Sequence, residues 1–186
     1  MVLCRTESQA REVMRRLRMI LDRLRLTLHP DKTRVVRLGL GQEGFTFLGC
    51  YIRVMRSHFK GRTYVFRWPS PRAMARVRER VRRLTARARR AGMKDMREVI
   101  RDLNPVLRGW GNYFRTGNAS IKFRAVDQYV HDRLVALMTT RGGACGNKGR
   151  KRAAVRHDWP HERFVKELGL YRLLGTIRYP GAAHAT

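Results

Sequence analysis

The segment LNPVLRGWGNYFR, residues 103–115, decides how this chain is read. Ile100, Leu103, Leu107 and Trp110 fall at helical spacing, which predicts that Trp110 faces a helical core. Gly109 and Gly111 flank the indole and lack Cβ atoms, so a neighbouring helix is expected to pack closely beside it. Arg108, Asn112 and Arg115 lie off that apolar stripe. Of the two aromatics that follow, Tyr113 and Phe114, one is left to present a ring at the surface.

Working outward, the dominant fact is charge. The 186 residues carry 42 Lys+Arg against 14 Asp+Glu, a formal +28. Such an excess repels itself in a compact state unless a polyanion is nearby, and nucleic acid is the expected partner. A biased codon usage is the other reading of so much arginine. The basic residues run along the whole chain, so the folded body itself is the expected binding surface. A hydrophobic content of 43% argues against wholesale disorder. No segment is apolar for long enough to span a membrane, and none is expected as partner. Cys4, Cys50 and Cys145 are odd in number and far apart, which suggests a reducing cytoplasm and no disulfide frame. Together with the His157/His161 pair they make no zinc pattern, and no metal site is read.

Along the chain, MVLCRT reads as a strand. Thr6-Glu7-Ser8-Gln9 fits a capping box, and the apolar spacing from Ala10 to Leu24 predicts a helix over 7–25. LRLTLHPDKTRVVRL predicts short strands broken at His29-Pro30-Asp31. FTFLGCYIRVM and RTYVFRW alternate and predict a β-hairpin about the turn-like SHFKGR. Ser70-Pro71 opens a helix over 71–91, closed by Gly92. Its apolar stripe is Met74, Val77, Val81, Leu84 and Ala88; its other faces are almost solid arginine, with Glu79 the one carboxylate. Asp95 predicts a short helix, Asn104-Pro105 a second, and the spacing of Phe123, Val126, Val130, Leu134 and Leu137 a third over 119–140. RGGACGNKGRKRAAVR reads as a mobile basic loop, followed by a short helix and extended residues. The expected fold class is α+β, and the expected divisions are 1–68, 69–140 and 141–186.

Three of these stretches, in this order, resemble the back half of a group II intron reverse transcriptase/maturase. LRLTLHPDKTRVV is similar to the palm motif after the catalytic strand, FTFLGCYI to the primer grip, and LNPVLRGWGNYFR to the signature of the maturase-specific thumb. The opening MVLCRT matches the strand that leaves the catalytic Tyr-Ala-Asp-Asp turn. That turn is itself absent, as is the earlier strand bearing the other metal-binding aspartate. The resemblance therefore implies a partial palm with a β-hairpin, then a helical thumb. It implies RNA-directed DNA synthesis and splicing for the intact family protein, with Mg²⁺ as its cofactor. For this chain alone it implies no catalytic residue and no cofactor.

On that resemblance Lys32 is an accessory group beside the leaving pyrophosphate, and Phe47, Leu48, Gly49 and Cys50 form the primer grip. A glycine in a strand permits close approach of another backbone or marks a bulge, and Phe47 is either grip or core. Arg76, Arg80, Arg83, Arg87 and Arg90, with Arg108, Asn112 and Arg115, are the expected nucleic-acid contacts. One of Tyr113 and Phe114 stacks on a base. Asp127, His29 and His131 receive no chemistry. The expected partners are group II intron RNA and the primer–template duplex, in a bacterial cytoplasm, with a separately encoded N-terminal half as a further partner. The alternatives are a stand-alone basic RNA chaperone and the C-terminal half of a split reverse transcriptase.

Overall fold

The structure is a computed structural model that describes residues 1–57, 61–92, 95–141 and 148–178. Among these, six helices accompany one three-stranded antiparallel sheet, an α+β architecture as the sequence predicts. The chain divides into two compact units, Met1–Phe45 with Arg53–Tyr64, and Thr46–Ile52 with Val65–Thr186.

In the first unit α1 spans Glu7–Arg23. Its capping box is complete: Thr6 Oγ1 accepts from the Gln9 N–H, and the Gln9 side chain reaches back to the Thr6 N–H. The strands predicted over MVLCRT and on either side of His29 do not form. Alternation alone makes no strand, because a ladder needs a partner to satisfy its backbone groups. Only the turn is realised, as a single 3-10 turn at Pro30–Lys32.

The predicted hairpin becomes three strands, β1 (Phe45–Phe47), β2 (Cys50–Arg56) and β3 (Thr63–Pro69), in the order β1-β2-β3. The additional break falls at Leu48-Gly49, where φ is +46° and +76°. Positive φ at both central residues is the geometry that matches a two-residue hairpin to the twist of its strands. Gly49 is thus a turn residue, neither mid-strand nor a bulge. Residues 58–60 of SHFKGR lie outside the described residues; Ser57 and Arg62 pair across the gap, the Ser57 N–H donating to the Arg62 carbonyl at 2.8 Å.

The second unit holds the core. Helix α2 (Pro71–Arg90) begins where Ser70 Oγ accepts from the Ala73 N–H, and the chain turns out of it at Gly92 with φ +60°. It buries Met74, Val77, Val81, Thr85 and Ala88. Helix α3 (Met96–Phe114) is continuous, where the sequence predicts two helices. Pro105 lies inside it, costing the bond to the Arg101 carbonyl. Asn104 caps nothing: its amide donates to the Gly169 carbonyl, and its Oδ1 accepts from the Tyr171 N–H, both at 2.8 Å. That long-range clamp offsets the lost helix bond.

Helix α4 (Ser120–Arg141) packs against α2 and against α5 (Lys148–Asp158). It buries Phe123, Val126, Val130, Leu134, Val135 and Leu137. The α5 segment corrects half of the predicted basic loop; residues 142–147, with Cys145, lie outside the described residues. Arginine, lysine and alanine are good helix formers without any apolar stripe. The partly buried Val155 rests on the core, and Arg156 pairs with Asp132. Helix α6 (His161–Leu168) ends at a left-handed Gly169 and buries Phe164.

Candidate nucleic-acid interface

Helix α2 carries the most concentrated charge. At 3.6 residues per turn, Arg76, Arg80, Arg83, Arg87 and Arg90 fall within an arc of about 80° and extend over about 21 Å. All five are exposed. Glu79 accepts from Arg82 at 2.8 and 3.0 Å and lies 3.7 Å from Arg83. The hydrogen bond from Arg82 holds its carboxyl below the usual range, so it stays ionised. Arg83 therefore shares its charge. Arg76, Arg80, Arg87 and Arg90 have no ion pair or hydrogen bond among the described residues. On the flank of α2, Arg78 stands over the Tyr129 ring at 5.8 Å, and Arg133 of α4 donates to Thr85 Oγ1 at 2.9 and 3.0 Å. Those contacts fix the roll of α2 on α4 and leave the arginine stripe outward. Thr85, absent from the predicted stripe, is one of its buried members.

On α3, Trp110 is partly buried and packs against the core, its ring 4.9 Å from Phe114 and 5.4 Å from Phe123. Its indole N–H is buried without a hydrogen-bond partner. Gly111 does admit a neighbour: a Cβ there would stand 2.6 Å from Leu173 Cδ2. That neighbour is the segment after α6, not a helix. Gly109 faces open space, so the predicted packing role holds for one glycine of the two. Phe114 is buried and Tyr113 is 55% exposed, so the exposed ring is Tyr113. Its hydroxyl donates to the Leu48 carbonyl at 2.8 Å, which holds the ring against the β1–β2 turn.

The remaining predicted residues of this helix share one face. Arg108 and Asn112 are exposed, Arg108 standing 5.4 Å from the Tyr171 ring. Arg115 is partly buried, and its carbonyl accepts from the Arg178 N–H at 2.7 Å. Helical spacing adds Arg97 and Arg101 to the same face. They were missed because no aromatic or glycine draws attention to them.

The primer-grip residues surround the Leu48-Gly49 turn. Leu48 is 69% exposed, Phe47 is partly buried, and Cys50 is buried in the core cluster, where burial pushes its thiol up. The Gly49 carbonyl accepts from the Ser70 N–H at 2.8 Å. The turn is thereby tied to the first residue before α2. Arg67 donates to the Thr116 carbonyl at 3.0 Å, while the Arg67 carbonyl accepts from the Asn118 N–H at 2.8 Å. A Cβ on Gly117 would meet that carbonyl at 2.4 Å.

Lys32, in the first unit, is exposed. The Mg²⁺ implied for the intact polymerase has no fitting ligand set here: among the described residues no three His, Cys, Asp or Glu gather at metal-binding distance. Folding brings His161 to Asp127 and His131, which stand one turn apart on α4. Asp127 accepts from the Leu173 and Leu174 N–H groups at 3.0 and 2.8 Å, and His131 Nε2 lies 2.8 Å from the Trp159 carbonyl. The His161 ring is 6.1 Å from that of His131. These groups anchor the segment after α6 and its neighbours. Burial raises the Asp127 pKa against the opposing pull of its two backbone bonds, and burial lowers that of His161.

Residues 74–164 match the family model described as "Group II intron, maturase-specific domain". The match runs from the first turn of α2 into α6. No curated protein matches the chain.

Proposed function

Because residues 74–164 match the family model of the group II intron maturase-specific domain, we propose that the chain binds intron RNA as the palm-remainder and thumb of an intron-encoded reverse transcriptase/maturase. The carrying observation is the outward arginine stripe of α2, inside the matched interval and with one carboxylate against it. Four unpaired guanidiniums in register along about 21 Å suit the backbone of an RNA or primer–template duplex. Each arginine presents a planar fork to phosphate oxygens. Arg108, Asn112 and Arg115 extend the contact along α3, with the Tyr113 ring available for stacking. In the assembled polymerase the Leu48-Gly49 turn guides the primer, and Lys32 serves a metal site supplied elsewhere. Mg²⁺ would there activate the primer hydroxyl and stabilise the leaving oxygens.

A second reading, in which a separately encoded front half joins this chain, is favoured by the first unit: the apolar face of α1 contains no buried residue. A general RNA chaperone is the competing class. Binding titrations with the cognate intron RNA and with an unrelated structured RNA of equal length separate the maturase reading from the chaperone. Tighter binding of the intron RNA at raised salt is expected. Equal affinity for both would contradict the maturase reading and favour the chaperone.

A further inference from the structure

A cleft of about 430 Å³ opens beside α3. It is lined by the cations Arg97, Arg101 and Arg108, by Asn104, and by the apolar Pro105 and Leu168, with the buried Ile100. Its volume falls within the range of about 300–1,000 Å³ typical of small-ligand sites. No carboxylate is among its lining residues. The three guanidiniums have no ion pair among the described residues, and Arg108 is steadied by the Tyr171 ring. The cleft is built in advance. Asn104, which also lines it, spends both ends of its amide on the Gly169 carbonyl and the Tyr171 N–H, which holds the end of α6, and so Leu168, in place.

A concave site of one sign concentrates counter-ions. Apolar side chains among the cations call for a ligand with a flat unsolvated part as well as a phosphate. A continuous duplex keeps its bases stacked inside and offers no such part, whereas an unpaired nucleotide offers both. We propose that this cleft is a second RNA site, which takes one unpaired nucleotide: its phosphate meets Arg97, Arg101 and Arg108, and its base lies against Pro105 and Leu168. The proposal rests on the RNA-binding reading above but uses a different helix from the α2 stripe.

The test is fluorescence anisotropy with two labelled RNAs, a short oligouridine and a blunt hairpin, each titrated at several salt concentrations. Three proteins are compared: the unaltered chain, R97Q/R101Q, and R76Q/R80Q/R87Q. All altered side chains are exposed, so circular dichroism and melting should not change. R97Q/R101Q should lose oligouridine affinity by about tenfold and flatten its log–log salt slope by about 1.4, two contacts at about 0.7 each, with the hairpin affected little. The α2 variant should lose mainly hairpin binding. Unchanged oligouridine binding by R97Q/R101Q, or equal losses on both RNAs, would overturn the site. If the α2 variant alone loses binding, the cleft falls and the RNA reading stands; if the unaltered chain binds neither RNA, both fall. An oligomer with the same phosphates and no bases should bind more weakly than oligouridine; equal binding would remove the base from the proposal.

Discussion

Helices α1 and α2 are written in the same style and end up with different lives. Each has a side-chain cap, an apolar stripe at helical spacing and an arginine-rich remainder. In α2 the stripe is buried against α3 and α4 and its front arginines are largely unpaired. In α1 no residue is buried, Ile20 is 57% exposed, and three of the five arginines are paired along the helix, Arg11 with Glu7 and Arg15 and Arg16 with Glu12. These bonds hold the Glu12 carboxyl down to about 2. Periodicity suffices for a helix, but a core requires something to pack against. Every buried hydrophobic residue of the described chain belongs to the second unit.

The contrast can be broken most forcefully in the core. Phe123→Ala, at a fully buried ring, should cost about 3–5 kcal/mol in denaturant unfolding. Ile20→Ala on α1 should change the same measurement by no more than about 0.5 kcal/mol. Comparable losses at both sites would mean that α1 is packed after all.

A pair of glycines sharpens the point within the second unit. Gly117→Ala drives a Cβ against the Arg67 carbonyl and should destabilise by about 1–3 kcal/mol. Gly109→Ala meets open space inside α3 and should stabilise by up to about 1 kcal/mol through helix propensity. Melting curves of the two variants should therefore move in opposite directions.

A smaller effect follows from the buried histidine. The folded pKa of His161 lies below its ordinary 6.5, so the unfolded chain takes up the proton first. Its contribution is complete above 6.5 and is lost as the pH falls through the folded value. Asp127 acts oppositely over the window above 3.8, its contribution lost as the pH rises through its raised value. His161→Gln should flatten the fall in stability just below pH 6.5 while leaving the α1 helix signal unaffected; an unaltered pH profile would remove His161 from the account.

What could be read in advance follows the same division between local and distant causes. Helices α1, α2 and α4 were legible because caps and stripes are written within one segment. Helix α3 was misdivided because Asn104-Pro105 looks like a helix start, and its real partners, Gly169 and Tyr171, are over sixty residues away. The strands predicted before residue 40 failed for want of a pairing partner. Helix α5 was hidden because its residues favour a helix without marking a buried face. At the interface, the α2 arginines were legible from composition and spacing. Arg97 and Arg101 share the Arg108 face by spacing but have no aromatic or glycine beside them to mark it, and only the fold sets Leu168 near them.

The smallest change in stability and the most direct test coincide in α2. R76Q/R80Q/R87Q removes three exposed, unpaired cations, so the melting temperature and helix content should stay those of the unaltered chain. The log–log salt slope for binding duplex RNA should fall by about 2–3, three contacts at about 0.7–0.9 each. An unchanged slope in a folded variant would contradict the claim that this stripe meets the phosphates.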